Sequence, residues 1–286
     1  MTALMPVDQQ TLTPMTADER ARFERDGFLI VRGALDRDDL AHARKAILRA
    51  YRTAEAGGRL GADRALHQLS AVTGCPELVF LLDHPATFRY AWSLLGWNVH
   101  VHHSHFDVHP PAAEPAGSWR WHQDGGRQNL EVETDPRPRL SVKVGWFLTD
   151  VARPGRGNLR VIPGSHLQNR LSRPERPDLP APPPPGAVDV LARPGTAVVF
   201  DRRIWHARGD NTSRYTRRAL FLGYTFRWIR ARDSYPVTAP WFAGLSPVRR
   251  QLLGASATAD GHWMPADEDV PLRAWMSERG LSPRPG

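Results

Sequence analysis

The sequence predicts a mainly β chain with flanking helices, and three observations carry that expectation. From Trp97 onward apolar residues recur with a period of two, the pattern of half-buried strands. The alternating runs are short and separated by Gly and Pro turns, which suits an antiparallel sandwich or barrel, a double-sheet jelly roll being one solution. The first third shows helical spacing and helix caps instead. With 286 residues, 41% hydrophobic and 24% charged, the chain has the composition of an ordinary globular protein and length for a substantial core.

The elements follow in order. Residues 1–15 read as a flexible terminus. Thr16 caps a short helix that runs through Arg25 and stops at Gly27, and Phe28 to Val31 form a strand. Asp36 opens a second helix, in which Leu40, Ala43, Ile47 and Ala50 share a face. Pro85 suits the first turn of a third helix and Gly96 its end. Val99 and Val101 then alternate with His100 and His102. Val142, Val144, Trp146 and Leu148 alternate with Lys143, Gly145 and Phe147. Further strands fit 159–162, 188–191, 197–200 and 219–226. The Pro-rich run 172–186 is excluded from any central strand or helix; it is either a plain linker or a lid near the substrate. The expected layout is one domain over 16–275, with a helical layer (16–96), a β core (97–230), a helical or irregular segment (231–275) and a flexible tail at 276–286.

The formal net charge of +8 raises the question of nucleic acid. Among 38 basic residues only Lys45 and Lys143 are lysines, and the arginines are scattered and often flanked by acids, so no clustered footprint emerges. An anionic small molecule is the better use of the excess charge; Arg127, Arg156, Arg160 and Arg208 are the expected cavity mouth. No apolar run approaches the ~20 residues of a membrane helix. Cys75 is the single cysteine, so no internal disulfide is possible, and a cytoplasmic address is expected.

Trp121-His122-Gln123-Asp124-Gly125-Gly126 is the stretch richest in chemistry. A His-x-Asp pair needs one distant histidine to place two imidazoles and a carboxylate on one face of a metal, and His206 supplies it. This facial triad leaves positions open for a cosubstrate and O₂. A second pair, His105-Phe106-Asp107, competes; it lies in a strand ahead of Pro110-Pro111, where His103, His105 and Asp107 share a face and can line a cavity without binding metal. The first pair is preferred because Gly125-Gly126 lets backbone approach closely. Arg217 follows His206 and opens a strand, so its guanidinium can hold a carboxylate from fixed backbone. Lys143 is either solvent-facing or a cavity ammonium that binds a carboxylate. Trp119, Trp121, Trp146, Trp205 and Trp228 read as core or pocket wall.

Together, Trp121 to Asp124, the stretch Gly157-Asn158-Leu-Arg-Val-Ile-Pro-Gly-Ser165-His166, and Trp205-His206 with Arg217 resemble the phytanoyl-CoA dioxygenase family of iron(II)/2-oxoglutarate oxygenases, from about Phe23 to Trp228. The resemblance implies a double-stranded β-helix core of the jelly-roll, cupin-like type. It also implies iron(II), 2-oxoglutarate and O₂ as the reaction partners of a small-molecule substrate. Residue by residue it implies His122, Asp124 and His206 as iron ligands and Arg217 as the arginine for the distal carboxylate. His105 and Asp107, with Lys143, are the further cosubstrate candidates; His103, Gln123 and Arg208 are the substrate candidates. His109 and Arg208 stand where many relatives have a lysine and a small hydroxylated residue. Halogenating relatives lack the carboxylate, so Asp124 implies hydroxylation or another oxidation. The competing expectations are a cupin-type metal hydrolase or isomerase without 2-oxoglutarate, and a non-catalytic ligand- or nucleic-acid-binding barrel.

Overall fold

The computed structural model describes residues 13–112, 119–179, 181–235 and 238–281. The expected flexible ends lie partly outside these residues, at 1–12 and 282–286. Two antiparallel sheets form the centre. The larger has six strands in the order β1-β7-β4-β9-β3-β2: Phe28–Val31, Thr196–Asp201, Ser141–Phe147, Arg217–Phe226, Val99–His109 and Leu66–Leu69. The smaller has three, β6-β5-β8: Val188–Val190, Leu159–Val161 and His206–Arg208. Facing each other, they make a jelly roll.

Strand alternation divides each central strand between two cores. Val142, Val144 and Trp146 of β4, Ala197 and Val199 of β7, and Leu220, Leu222 and Tyr224 of β9 pack outward under the helices. Phe147, Val198, Phe200, Ala219 and Phe221 point inward and meet Leu159 and Val161 of the smaller sheet. On β4 the inward set also includes Lys143 and Gly145, so the space between the sheets is apolar at one end and polar at the other.

The helical layer comprises α1 (Ala17–Asp26), α2 (Arg37–Ala56), a short α3 (Ala71–Gly74) and α4 (Pro85–Leu95). Thr16 closes a capping box with Glu19, and Gly27, at φ 79°, ends α1. The Asp36 side chain accepts from the Asp38 and Asp39 amides to start α2. Pro85 begins α4. A four-residue helix α5 (Gln128–Glu131) follows the His-x-Asp pair. Three helices beyond the barrel complete the layer: α6 (Pro240–Ala243), α7 (Pro247–Leu252) and α8 (Pro271–Glu278). The last runs past residue 275 and buries Met276, because an amphipathic turn continues into the expected tail. Strand β2 carries no alternation in its Leu-His-Gln-Leu sequence and escapes pattern reading. Among the described residues no helix is long and apolar enough to cross a membrane.

Candidate metal centre and its pocket

His122 and His206 face each other as an isolated antiparallel bridge, the amide of each donating to the carbonyl of the other at 3.0 and 2.9 Å. Directly opposed residues send their side chains to the same face, so the two rings lie 4.3 Å apart, centroid to centroid. Asp124, two residues on, returns to that face. Its amide donates to the Arg202 carbonyl at 2.9 Å, fixing the loop that carries the carboxylate. One ligand-capable atom from each of His122, Asp124 and His206 lies within 4.8 Å of the others. Both histidines stand 3.9 Å, through Nε2, from an Asp124 oxygen.

The donor chemistry fits a divalent metal. His122 Nδ1 lies 2.8 Å from the Arg120 carbonyl and His206 Nδ1 2.9 Å from the Ile204 carbonyl. A carbonyl only accepts, so Nδ1 carries the proton in each ring, and the Nε2 lone pairs point at Asp124. Burial drives the His206 imidazole down to about 3, which keeps it neutral and ligand-competent near pH 7. Burial alone would raise the Asp124 carboxyl, but Lys143, His206 and His122 hold it well below the usual range.

Arg217, the expected carboxylate anchor, is 3% exposed at the start of β9. It packs near the Phe147 and Phe221 rings at 5.6 and 5.9 Å, and its Nη1 reaches Asp107 at 3.5 Å. Its Nε is buried with no partner among the described residues. A buried guanidinium with an unspent donor suits a small carboxylate. His105 stacks between His103 and Phe221, at 4.9 and 4.8 Å, and burial keeps it neutral.

Asp107 accepts from His67 Nδ1 at 2.7 Å, and His67, His105 and Asp107 form a second grouping within metal-ligand reach. The fixed Arg217 charge beside Asp107 opposes a cation there.

Lys143 is not solvent-facing. Its ammonium bonds Asp124 at 3.0 Å and lies over Phe200 and Phe221. His103 lines the cavity beside Asp124, whereas two other substrate candidates are placed differently. Gln123 is consumed by structure: its amide nitrogen donates to the Gln168 and Arg203 carbonyls and its oxygen accepts from Arg137, because a residue between two inward-facing ligands points to the other side. Arg208 lies by Arg217 and Arg120, where burial and like charge lower it to about 10. The expected arginine mouth is also corrected. Arg127, Arg156 and Arg160 pair with Glu131, Asp150 and Asp189.

The cavity beside Asp124 has a volume of about 360 Å³ and is lined instead by Lys143, Arg202, Arg230 and Arg232, with His102 and His103. Sequence reading missed His102 because β3 carries an irregularity between Val101 and His103, which lets adjacent histidines reach one cavity. In the Gly157 to His166 stretch, Asn158 bonds the Val151 and Val190 carbonyls and Ser165 accepts from the Trp205 amide, so both support the barrel beside His206. Gly157 packs on Arg217, where a Cβ would approach Cδ to 2.8 Å.

A jelly roll in which two histidines and an aspartate converge belongs to the metal-dependent oxygenase class. Residues 23–219 match the family model described as phytanoyl-CoA dioxygenase, and the chain belongs to that family. It is thus a dioxygenase whose reaction uses iron(II), 2-oxoglutarate and O₂. The chain is 25% identical to an ectoine dioxygenase of Sphingopyxis alaskensis over 80% of its own length and 82% of that protein. It is 28% identical to dioxygenase af480 of Aspergillus fumigatus, covering 99% and 95% of the two chains. Among solved structures, HygX from Streptomyces hygroscopicus, with nickel and 2-oxoglutarate bound, shares the fold at TM-score 0.62 and 15% identity, covering 82% of this chain and 96% of that one. The carbocyclase SnoK from nogalamycin biosynthesis does so at TM-score 0.58 and 24% identity, over 83% and 95%.

Proposed function

We propose that this chain hydroxylates an unactivated C–H bond of a small metabolite or biosynthetic intermediate, with His122, Asp124 and His206 holding the iron. The observation that carries the reading is the His122–His206 bridge with Asp124 on the same face, each histidine presenting Nε2. Iron(II) with 2-oxoglutarate and O₂ supplies an oxidant that converts R–H to R–OH while the keto acid leaves as succinate and CO₂.

The protein's own part is positioning. Arg217 takes the far carboxylate of 2-oxoglutarate, with Asp107 holding the guanidinium in place. Phe147, Phe221 and His105 wall that channel and exclude water. Lys143 orients the Asp124 carboxylate through a hydrogen bond of 3.0 Å, on the face where both histidines would hold the metal. With Asp124 as the third protein ligand, the site would leave no ligand position for a halide, which favours hydroxylation.

Replacing Asp124 with alanine removes a ligand directly. Iron retention and 2-oxoglutarate-dependent succinate release should fall by more than the roughly 10–100-fold that losing a supporting outer group costs. Metal analysis and succinate assays on the purified variant check this. Undiminished iron and turnover in a folded D124A protein would refute the ligand assignment.

A further inference from the structure

From Arg217 to Gly223, β9 runs roughly 20 Å, so the cavity lined by Gly223 lies well away from the cosubstrate arginine. Its fixed charges are Lys143, Arg202, Arg230 and Arg232 against the single carboxylate of Asp124. Once Asp124 is given to a metal, every remaining charged side chain in the lining is a cation.

This charge is built into the fold. The irregularity in β3 turns the His102 carbonyl toward the chain that leaves β9, where it accepts from the Arg232 amide at 2.7 Å and the Asp233 amide at 3.0 Å. That clamp fixes the Arg230–Arg232 loop over the pocket. Both arginines are exposed, and neither forms an ion pair with a carboxylate among the described residues. Behind them Arg202 is 2% exposed. Its Nη1 is spent on the Asp124 carbonyl, Gln128 and Asn129, while Nε and Nη2 are buried without a partner among the described residues. The arginines expected at the cavity mouth differ in this respect, since Arg127, Arg156 and Arg160 each pair with a neighbouring acid. Leaving three guanidiniums and an ammonium around one cavity costs self-repulsion that an anionic ligand would offset.

We propose that this pocket is an anion subsite for the substrate, in which Arg230 and Arg232 grip a carboxylate or phosphate group and Arg202 and Lys143 supply the field behind it. The substrate is then a small acid or phosphate ester whose reacting carbon lies between that group and the metal. This deepens the oxygenase reading and rests on it for the place of metal and cosubstrate.

The test uses the full chain loaded with nickel(II) and 2-oxoglutarate, titrated calorimetrically at constant ionic strength with inorganic phosphate in one arm and acetate in the other. The wild-type protein should bind at least one probe, and the preferred probe identifies the group. The R230A/R232A double variant should bind that probe about tenfold more weakly or worse, with its 2-oxoglutarate affinity unchanged. Arg176→Ala, which removes an exposed arginine paired with Asp178, should behave as wild type. Equal binding by wild type and the double variant overturns the subsite. So does a parallel loss of 2-oxoglutarate affinity, which would give the arginines to the cosubstrate. A protein that binds phosphate through Arg230 and Arg232 but takes up neither nickel nor 2-oxoglutarate would keep the subsite and sink the oxygenase assignment instead.

Discussion

The role proposed for Arg217 rests on a buried charge that its surroundings pair only in part. Burying a guanidinium is costly, and Asp107 at 3.5 Å offsets only part of that cost because Nε stays unsatisfied. A carboxylate at Nε would complete the pairing. Replacing Arg217 with alanine should therefore raise the concentration of 2-oxoglutarate needed for half-maximal succinate release by the equivalent of ~2–5 kcal/mol, at least about 30-fold. Lysine at the same position, keeping charge but losing the fork, should recover part of the loss. Saturation of R217A at the wild-type concentration would remove Arg217 from the cosubstrate site. At this scale the sequence exposed residues whose type is itself the message. His122, Asp124, His206 and Arg217 all stand where a spacing or a strand end made them conspicuous, and the structure brings the first three together. Arg202, Arg230 and Arg232 gave no such signal, since in a chain with this many arginines only their convergence on one cavity distinguishes them. That convergence is a property of three-dimensional packing.

Elements convert these residues into geometry. The bridge between His122 and His206 joins segments far apart in sequence, and no period in either segment announces the pairing. Alternation did separate the two faces of β4, with Lys143, Gly145 and Phe147 opposite the larger apolar set, but left open which of them faces the cavity. It failed on β3, where the irregularity before His103 shifts the side-chain phase and puts His102 into the cavity. Helix boundaries were the most legible features, because caps are local chemistry. Asp36 accepts from the amides of Asp38 and Asp39 at 2.9 and 2.8 Å and alone starts the 20-residue α2. Its replacement by alanine should cost about 1 kcal/mol of global stability, read as a lower denaturation midpoint at unchanged slope. Succinate release per folded molecule should stay at the wild-type level. A variant as stable as wild type would mean that tertiary packing, through Ala43, Ala46 and Ile47, fixes this terminus without the cap.

Across the whole molecule, the large sheet is covered on its outer face by helices, and its inner face is left free to combine an apolar core with a charged site. That division makes the attachment of the helical layer a requirement for the site, since β1, β7 and β4 pack directly beneath it. One fastening is electrostatic. Glu19 of α1 receives both Nη atoms of Arg89 at 3.0 and 2.6 Å, the Tyr90 hydroxyl at 2.7 Å and the Thr16 amide at 2.8 Å, joining α1 to α4. Burial by itself would raise this carboxyl, yet the Thr16, Tyr90 and Arg89 donors bring it down to about 2, from 4.5 when unperturbed. A carboxyl lowered by folding stabilises the native state above its unfolded value and loses that contribution as pH falls through the folded one. The fastening should therefore be complete above about pH 4.5 and vanish toward pH 2, a contribution of roughly 3 kcal/mol at most. E19Q keeps the shape but cannot carry the charge, and its amide nitrogen replaces one of the two acceptor oxygens. Thermal midpoints of wild type and E19Q should differ near pH 7 and converge as pH drops from about 4.5 toward 2. A gap that stays constant over that range would show that α1 is held by the buried Phe23 and its neighbours, with the charge contributing nothing.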